Sequence, residues 1–252
     1  MTKRPPLSGL KVLVTRPQDQ AKKLIDTLKQ AGAKTVVFPL IDIVAIEPQQ
    51  WPQVDLAGQD MVIFISRNAV SYFCRTFDDE LPANVAFVAV GDATADSMRR
   101  HQLPIDIVAP SPAGSESLLA MPAMQSMLNK RVLIVRGEGG RELLANTLAL
   151  RGATISYLEV YKRSLPAVNE EQLTQAETVD CIIITSVASL DNLCQLMAKQ
   201  TIKNKTLVVI SDRIRQHALK LGFQHVYVSD DVNDAAITQQ LIQVGQTNGK
   251  KC

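Results

Sequence analysis

Small hydroxyl residues, glycines and arginines recur in this chain just after short apolar runs. They read Thr15-Arg16-Pro17, Ser66-Arg67-Asn68, Gly91-Asp92-Ala93-Thr94, Arg136-Gly137-Glu138-Gly139-Gly140-Arg141, Thr185-Ser186 and Ser211-Asp212. Where an apolar strand gives way to a helix, such residues expose backbone N–H groups at the helix start, which is how α/β proteins hold carboxylates and phosphates. Taken singly, each is also what an ordinary helix cap looks like. Six such sites at the ends of successive strands are a ligand-binding pattern. Arg16 and Arg136 add positive charge to it, or serve as salt-bridge residues.

Several sharper chemistries fit poorly. Gly137-Glu-Gly-Gly-Arg-Glu142 begins like a dinucleotide-binding G-x-G-x-x-G, but Glu142 stands in the third glycine's place. There is no Walker motif. His101, His217 and His225 lie on or next to helices without metal-ligand spacing, and no nucleophile elbow accompanies them. Neither a metal nor an organic cofactor is expected. Hydroxyls, amides and two arginines without an evident nucleophile suit a reaction whose substrate carries its own reactivity, with the protein supplying shape, charge complementarity and at most one proton donor. Tyr161 is the best single candidate for that donor, its alternative role being an amphipathic ring packed at a hinge.

The elements that must position these groups follow from periodicity. Strand candidates are Val12–Thr15, Thr35–Phe38, Met61–Ile65, Ala86–Val90, Ile105–Val108, Val132–Val135, Thr154–Leu158, Cys181–Thr185, Leu207–Ile210 and His225–Val228. Helix-period segments separate them; one carries Ala21, Leu24, Ile25 and Leu28 on one face and stops at Gly32. Runs apolar on both faces and separated by helices imply parallel sheets covered on both sides, with ten strands, five per domain. In such sheets ligands bind outside the carboxyl ends of the strands, where the six clusters lie.

The chain is also a duplication. Val12, Leu13, Arg16, Leu24, Thr27, Leu28, Gly32 and Ala33 recur 120 positions later as Val132, Leu133, Arg136, Leu144, Thr147, Leu148, Gly152 and Ala153. The same offset carries Asp60–Ser66 onto Asp180–Ser186 and Phe87–Asp92 onto Leu207–Asp212. A duplicated α/β protein usually works in the cleft between its copies. Leu40–Ile46 and Glu159–Ser164 continue extended after the second strand of each half, without the punctuation of a domain boundary. Two arrangements fit: halves folding sequentially as 1–120 and 121–252, or each half lending its first βαβ unit to the other.

Composition bounds the rest. The 252 residues are 46% hydrophobic and 21% charged, as in a soluble globular protein of two domains. Aromatics at 4% are too sparse for base-stacking platforms, so nucleic acid is not an expected partner. A formal charge of +2 leaves any preference for anions to local placement. The four cysteines show no C-x-x-C spacing and read as reduced thiols of a cytoplasmic chain. No apolar leader and no run of eighteen apolar residues is seen, so neither secretion nor membrane insertion is expected.

At these residues the chain resembles the uroporphyrinogen-III synthases, cofactor-free enzymes of tetrapyrrole biosynthesis. The resemblance spans nearly the whole chain and rests on Val12-Leu-Val-Thr-Arg-Pro17, Phe38-Pro-Leu-Ile-Asp42, Phe64-Ile-Ser-Arg-Asn-Ala-Val70, Ala89-Val-Gly-Asp-Ala-Thr-Ala95, Arg136-Gly-Glu-Gly-Gly-Arg-Glu142, Glu159-Val-Tyr-Lys-Arg163 and Thr185-Ser186. Each is a weak pattern, and their order and spacing carry the match. It implies two flavodoxin-like parallel-sheet domains joined by a two-stranded β ribbon, with exchanged βαβ units. Residues 1–39 would pair with 165–252, 45–158 would form the other domain, and 40–44 and 159–164 would be the linker strands. It further implies a lyase that closes linear hydroxymethylbilane to uroporphyrinogen III, inverting the terminal pyrrole and losing water. Tyr161 would be the catalytic residue, and Thr15, Arg16, Ser66, Arg67, Asn68, Gly91, Thr94, Arg136, Gly137, Thr185, Ser186 and Ser211 would surround the substrate. One position departs from the family's commoner Ser-Pro-Arg/Asn-Ala-Val: Arg67 replaces the proline and Asn68 follows. Ser66 carries over; an arginine role at 68 does not, and Arg67 is a candidate carboxylate contact instead.

The expected protein is a cytoplasmic monomer acting on a small molecule, in transient contact at most with the preceding or following enzyme of its pathway. Two other classes remain open on the residues alone: a two-domain small-anion-binding protein, and a nucleotide-dependent transferase using Gly137–Arg141 as a phosphate loop.

Overall fold

A computed structural model describes residues 4–77 and 81–247. From the start of the chain, β1 (Lys11–Val14), α1 (Gln18–Gln30), β2 (Lys34–Val37) and β3 (Asp42–Ala45) are followed by β4 (Met61–Phe64), α2 (Arg67–Thr76) and β5 (Ala86–Ala89). Next come α3 (Asp92–Arg100), β6 (Ile107–Val108), α4 (Ser115–Ala120), β7 (Arg131–Gly137), α5 (Leu143–Leu150) and β8 (Thr154–Ser164). The chain continues through α6 (Glu170–Glu177), β9 (Cys181–Ile184), α7 (Val187–Leu196), α8 (Lys199–Ile202) and β10 (Thr206–Val209), ending with α9 (Asp212–Lys220), β11 (His225–Val228) and α10 (Asp234–Thr247).

Contacts divide the chain into two compact units. The first takes Met1–Asp42 and Ser164–Cys252, the second Ile43–Arg163. In the first unit the sheet order is β11-β10-β9-β1-β2, with every neighbouring pair parallel. In the second it is β3-β8-β7-β4-β5-β6, with β8 through β6 parallel. Counted from the duplicated βαβ, both sheets have the doubly wound order 2-1-3-4-5. The βαβ of the first half (β1, α1, β2) pairs with strands of the second half, and β7, α5 and β8 pair with strands of the first. The exchanged topology is therefore the one the chain adopts.

Each sheet is buried on both faces because its strands are apolar at consecutive positions. In β1, Val12 and Val14 face one cluster with Leu24, Leu28 and Leu241, while Leu13 faces another with Phe38, Ile182 and Leu207. In β4, Val62 and Phe64 face Phe73, Phe87 and Met98, and Met61 and Ile63 face Leu118, Met124 and Leu148. The equivalent glycines Gly32 and Gly152 have φ of +93° and +97°, the left-handed conformation that turns the chain from each helix into the next strand.

Two details correct the reading by periodicity. There are eleven strands among the described residues, six of them in the second unit, because Asp42–Ala45 pairs as β3 beside β8. The strand expected over Thr154–Leu158 does not stop there; β8 continues through Glu159–Ser164, so strand and crossing segment are one element. Neither could be seen in an alternation pattern, since an edge strand gains its hydrogen bonds from a neighbour distant in sequence. The strand expected over His225–Val228 is β11, with the same bounds. Burial pushes the Cys74 thiol up to about 11.

Candidate functional site

The carboxyl ends of β4, β7 and β8 meet in the second unit, and there Tyr161 lies against Ser66 and Gly137. Ser66 follows β4 and caps α2, its Oγ accepting from the Ala69 N–H at 3.0 Å. The same Oγ is 3.2 Å from the Tyr161 Oη. The phenol thus sits at the N-terminus of a ten-residue helix, where unpaired N–H groups favour negative charge.

A β-bulge aims the ring there. β7 and β8 pair Arg136 with Glu159 and then Gly137 with Tyr161, leaving Val160 as an extra residue on β8. Unbroken alternation would place Tyr161 on the face of Tyr157 and Glu159. The extra residue instead turns it to the face of Leu158 and Val160, into the cluster of Phe64, Phe73 and Phe87. The ring is 4% exposed and its centroid is 5.7 Å from that of Tyr72. Tyr72 donates to the Ile43 carbonyl at 2.5 Å. On the other side a Cβ at Gly137 would lie 2.4 Å from the Tyr161 ring, so only glycine lets the strand pass so close.

Beyond Gly137 the chain folds over the Arg136 side chain, which is 4% exposed. Its Nε donates to the Gly137 carbonyl at 3.2 Å, Nη1 to Glu142 Oε1 at 2.9 Å and Nη2 to the Gly139 carbonyl. Gly139 and Gly140, with φ of +68° and +116°, give the turn this wrapping needs. The Gly139 N–H donates to Glu159 Oε1 at 3.2 Å, and the Glu138 N–H to the Tyr161 carbonyl at 2.8 Å. The second carboxylate oxygen of Glu142 accepts from the Tyr157 hydroxyl, whose ring lies under the Arg136 guanidinium, 4.8 Å from its carbon. The Tyr157 hydroxyl first, and then Arg136, hold the Glu142 carboxyl below the usual carboxylate range. Partial burial first, and then Glu142, push the Tyr157 phenol up. Tyr157, Glu159, Glu138 and Lys162 also line a cavity of about 530 Å³ in this unit.

The other sequence-chosen residues fall into two groups. In the second unit, Gly91 caps α3 at the end of β5, where a Cβ would meet Ala113 at 2.3 Å; Thr94 is buried in the first turn. Arg67 and Asn68 open α2, Arg67 exposed and its carbonyl 3.4 Å from the Ser97 hydroxyl. In the first unit, Thr15, Thr185, Ser186 and Ser211 stand at the ends of the adjacent strands β1, β9 and β10. Thr15 is buried and donates to the Ile183 carbonyl at 2.6 Å. Ser186 caps α7 and is 2.7 Å from the Ser189 hydroxyl; Ser211 starts α9 without a side-chain cap bond. Arg16 pairs with Asp234 at 2.6 Å. Sequence reasoning missed Glu142, Glu159, Tyr157 and Tyr72. In the sequence Glu142 reads only as a failed glycine, and no spacing rule points from Arg136 to a tyrosine on the neighbouring strand.

This arrangement offers at Tyr161 a buried phenol with a helix N-terminus beside it. The Gly137–Glu142 loop is folded around protein groups, a guanidinium and a carboxylate, which is unlike a phosphate cradle open to a nucleotide. Among the described residues no cluster suits a metal ion, and no helix is long and apolar enough to cross a membrane.

Comparison with known proteins agrees in one direction. A family model described as uroporphyrinogen-III synthase HemD matches residues 22–239. The uroporphyrinogen-III synthase of Escherichia coli K12 is 30% identical over 92% of this chain and 100% of its own length. That of Chlorobaculum parvum is 28% identical over 84% of this chain and 90% of its own. Among solved structures, uroporphyrinogen-III synthetase from Helicobacter pylori 26695 superposes with a TM-score of 0.65 at 16% identity, covering 93% of this chain and 99% of that one. A mutant uroporphyrinogen III synthase from Thermus thermophilus gives 0.55 at 16% identity, covering 95% and 100%.

Proposed function

Since the chain belongs to the uroporphyrinogen-III synthase family of tetrapyrrole-forming enzymes, we propose that it closes linear hydroxymethylbilane to uroporphyrinogen III with Tyr161 as its proton donor. The observation that carries this reading is the Tyr161 hydroxyl held 3.2 Å from Ser66 at the N-terminus of α2. Phenols carry their proton at neutral pH. As the nitrogen lone pair of the substituted pyrrole expels the terminal hydroxyl, Tyr161 gives that oxygen a proton and water leaves. The Ser66 hydroxyl and the helix N-terminus then face a phenolate whose charge both stabilise.

The azafulvene left behind is electrophilic at the former hydroxymethyl carbon. Attack by the substituted carbon of the terminal ring gives a spiro intermediate, and its rearrangement inverts that ring. A proton lost from the rearranged macrocycle restores the phenol. Spontaneous closure gives the uninverted type I isomer, so the protein's contribution is chiefly conformational. Thr15, Arg16, Thr185, Ser186 and Ser211 in one unit, and Ser66, Arg67, Asn68, Gly91, Thr94 and Gly137 in the other, are the groups offered to the substrate's acetate and propionate carboxylates. Arg136, buried and fully engaged, acts from beneath.

Incubating the purified protein with hydroxymethylbilane and separating the isomers tests the reading. Type III product is expected; type I alone would end it. A monomer in the cytoplasm completes the proposal, and a dimer mass in gel filtration would remove the first part.

A further inference from the structure

Arg16 and Arg136 are equivalent in the duplication, yet only Arg136 gathers a loop. Around it stand Gly137, Glu142 and Tyr157; at the matching positions of the first half stand Pro17, Lys22 and Val37. There Arg16 reaches instead to Asp234 and the Val232 carbonyl. The first βαβ therefore folds without any Arg–Glu–Tyr cluster, so the architecture does not demand one. Burying a guanidinium on carbonyls and a carboxylate is also a weak route to stability compared with apolar packing.

What the cluster does hold is the backbone of Gly137 and Glu138. Gly137 presses on the Tyr161 ring, where no Cβ fits, and the Glu138 N–H is bonded to the Tyr161 carbonyl. The Arg136 Nε bond to the Gly137 carbonyl ties one end of the loop; Glu142, clamped between Arg136 Nη1 and the Tyr157 hydroxyl, ties the other. Resting on the proposal that Tyr161 is the donor, we infer that Arg136, Glu142 and Tyr157 are positioning residues that fix the Tyr161 ring through the 137–142 loop. The ring can then move only if the loop opens. Misplacing a reacting group by about 1 Å can cost 10²-fold in rate, so a loosened loop is felt in turnover rather than in substrate affinity.

Arg136→Lys keeps the charge but loses the fork, and a buried change of that kind can fail to fold. Tyr157→Phe, which removes one oxygen, and Glu142→Gln, at an exposed position, avoid this. The decisive experiment measures kcat and KM for hydroxymethylbilane in Tyr157→Phe, Tyr161→Phe and the double variant of the full chain, and repeats the cycle with Glu142→Gln. Tyr157→Phe is expected to lower kcat about tenfold with KM within about twofold, and to add nothing in the Tyr161→Phe background. Multiplying effects in the double variant, or wild-type kcat in both Tyr157→Phe and Glu142→Gln, would overturn the inference while leaving Tyr161 as donor. Wild-type kcat in Tyr161→Phe would instead remove the donor reading, and the inference with it.

Discussion

The amino ends of the two sheets are alike, and their carboxyl ends are not. In the second unit the Asp60 carboxylate accepts from the Arg131 N–H at 2.8 Å, while the Asp60 N–H donates to the Arg131 carbonyl at 2.9 Å. In the first unit Asp180 and Lys11, each 120 positions away from its counterpart, repeat both bonds at the same distances. Each pair joins an exchanged βαβ to the strands of the other half. At the carboxyl ends, Ser66 and Ser186 still cap equivalent helices, but their second partners differ. Ser186 meets the Ser189 hydroxyl, where the second unit has Ala69. Ser66 is left to meet Tyr161, where the first unit has Ile41. The frame was kept in duplicate while one edge alone acquired a phenol and the loop around Arg136.

Substitutions at equivalent positions test how far that division goes. The largest effects are expected in the shared cores: Leu13→Ala and Leu133→Ala, both at fully buried positions, should each cost about 3 kcal/mol in chemical denaturation. A difference above about 2 kcal/mol between them would mean that the cores are not equivalent. Next, Tyr161→Phe should reduce turnover about 10²-fold, whereas Ser189→Ala, which gives the first unit the second's alanine, should leave turnover unchanged. Equal losses would undo the asymmetry of the two edges.

Smaller changes follow at the turns. Gly32→Ala and Gly152→Ala force a side chain into the left-handed region and should each cost about 1–2 kcal/mol. At both positions the new Cβ would also press on rigid atoms, 2.6 Å from the Pro5 ring at Gly32 and 2.9 Å from the Leu128 backbone at Gly152. Thermal unfolding of the pair ranks them.

The smallest effect is the dependence on acid. The Arg131 N–H first, and then Lys130, hold the Asp60 carboxyl below its ordinary value. A depressed folded value means stability that is present above the unfolded value, about 4, and is lost as pH falls through the folded one. Asp60→Asn should therefore flatten the decline of the denaturation midpoint below about pH 4. An unchanged acid slope would show that this pair contributes no linkage.

Most of the frame is legible in the sequence because periodicity and the 120-residue offset are local or self-referential signals. Val12–Val14 and Val132–Val135 announce buried parallel strands, and Gly32 and Gly152 announce the turns. Two features are not legible for the same reason. The edge strand Asp42–Ala45 exists only because β8 lies beside it, and the Val160 bulge only because β7 and β8 fall out of register. Ser66, Gly137 and Tyr161 stand out in the sequence for different reasons, two as anion-holding positions and one as a donor. Nothing in their spacing says that they touch. Tyr157 and Glu142 carry no signal of their own, because a tyrosine within a strand and a glutamate after a glycine run have ordinary uses.

By itself the sequence determined the duplication, the alternation of buried strands and helices, and the residue types gathered at strand ends, since these depend on side-chain pattern alone. The tertiary structure decided which half pairs with which and which face Tyr161 takes. Pairing is a contest between strands far apart in the chain, and a one-residue bulge reverses the side on which every later residue of a strand appears. Alternation would have sent the phenol to the face of Tyr157; the extra residue sent it to Ser66.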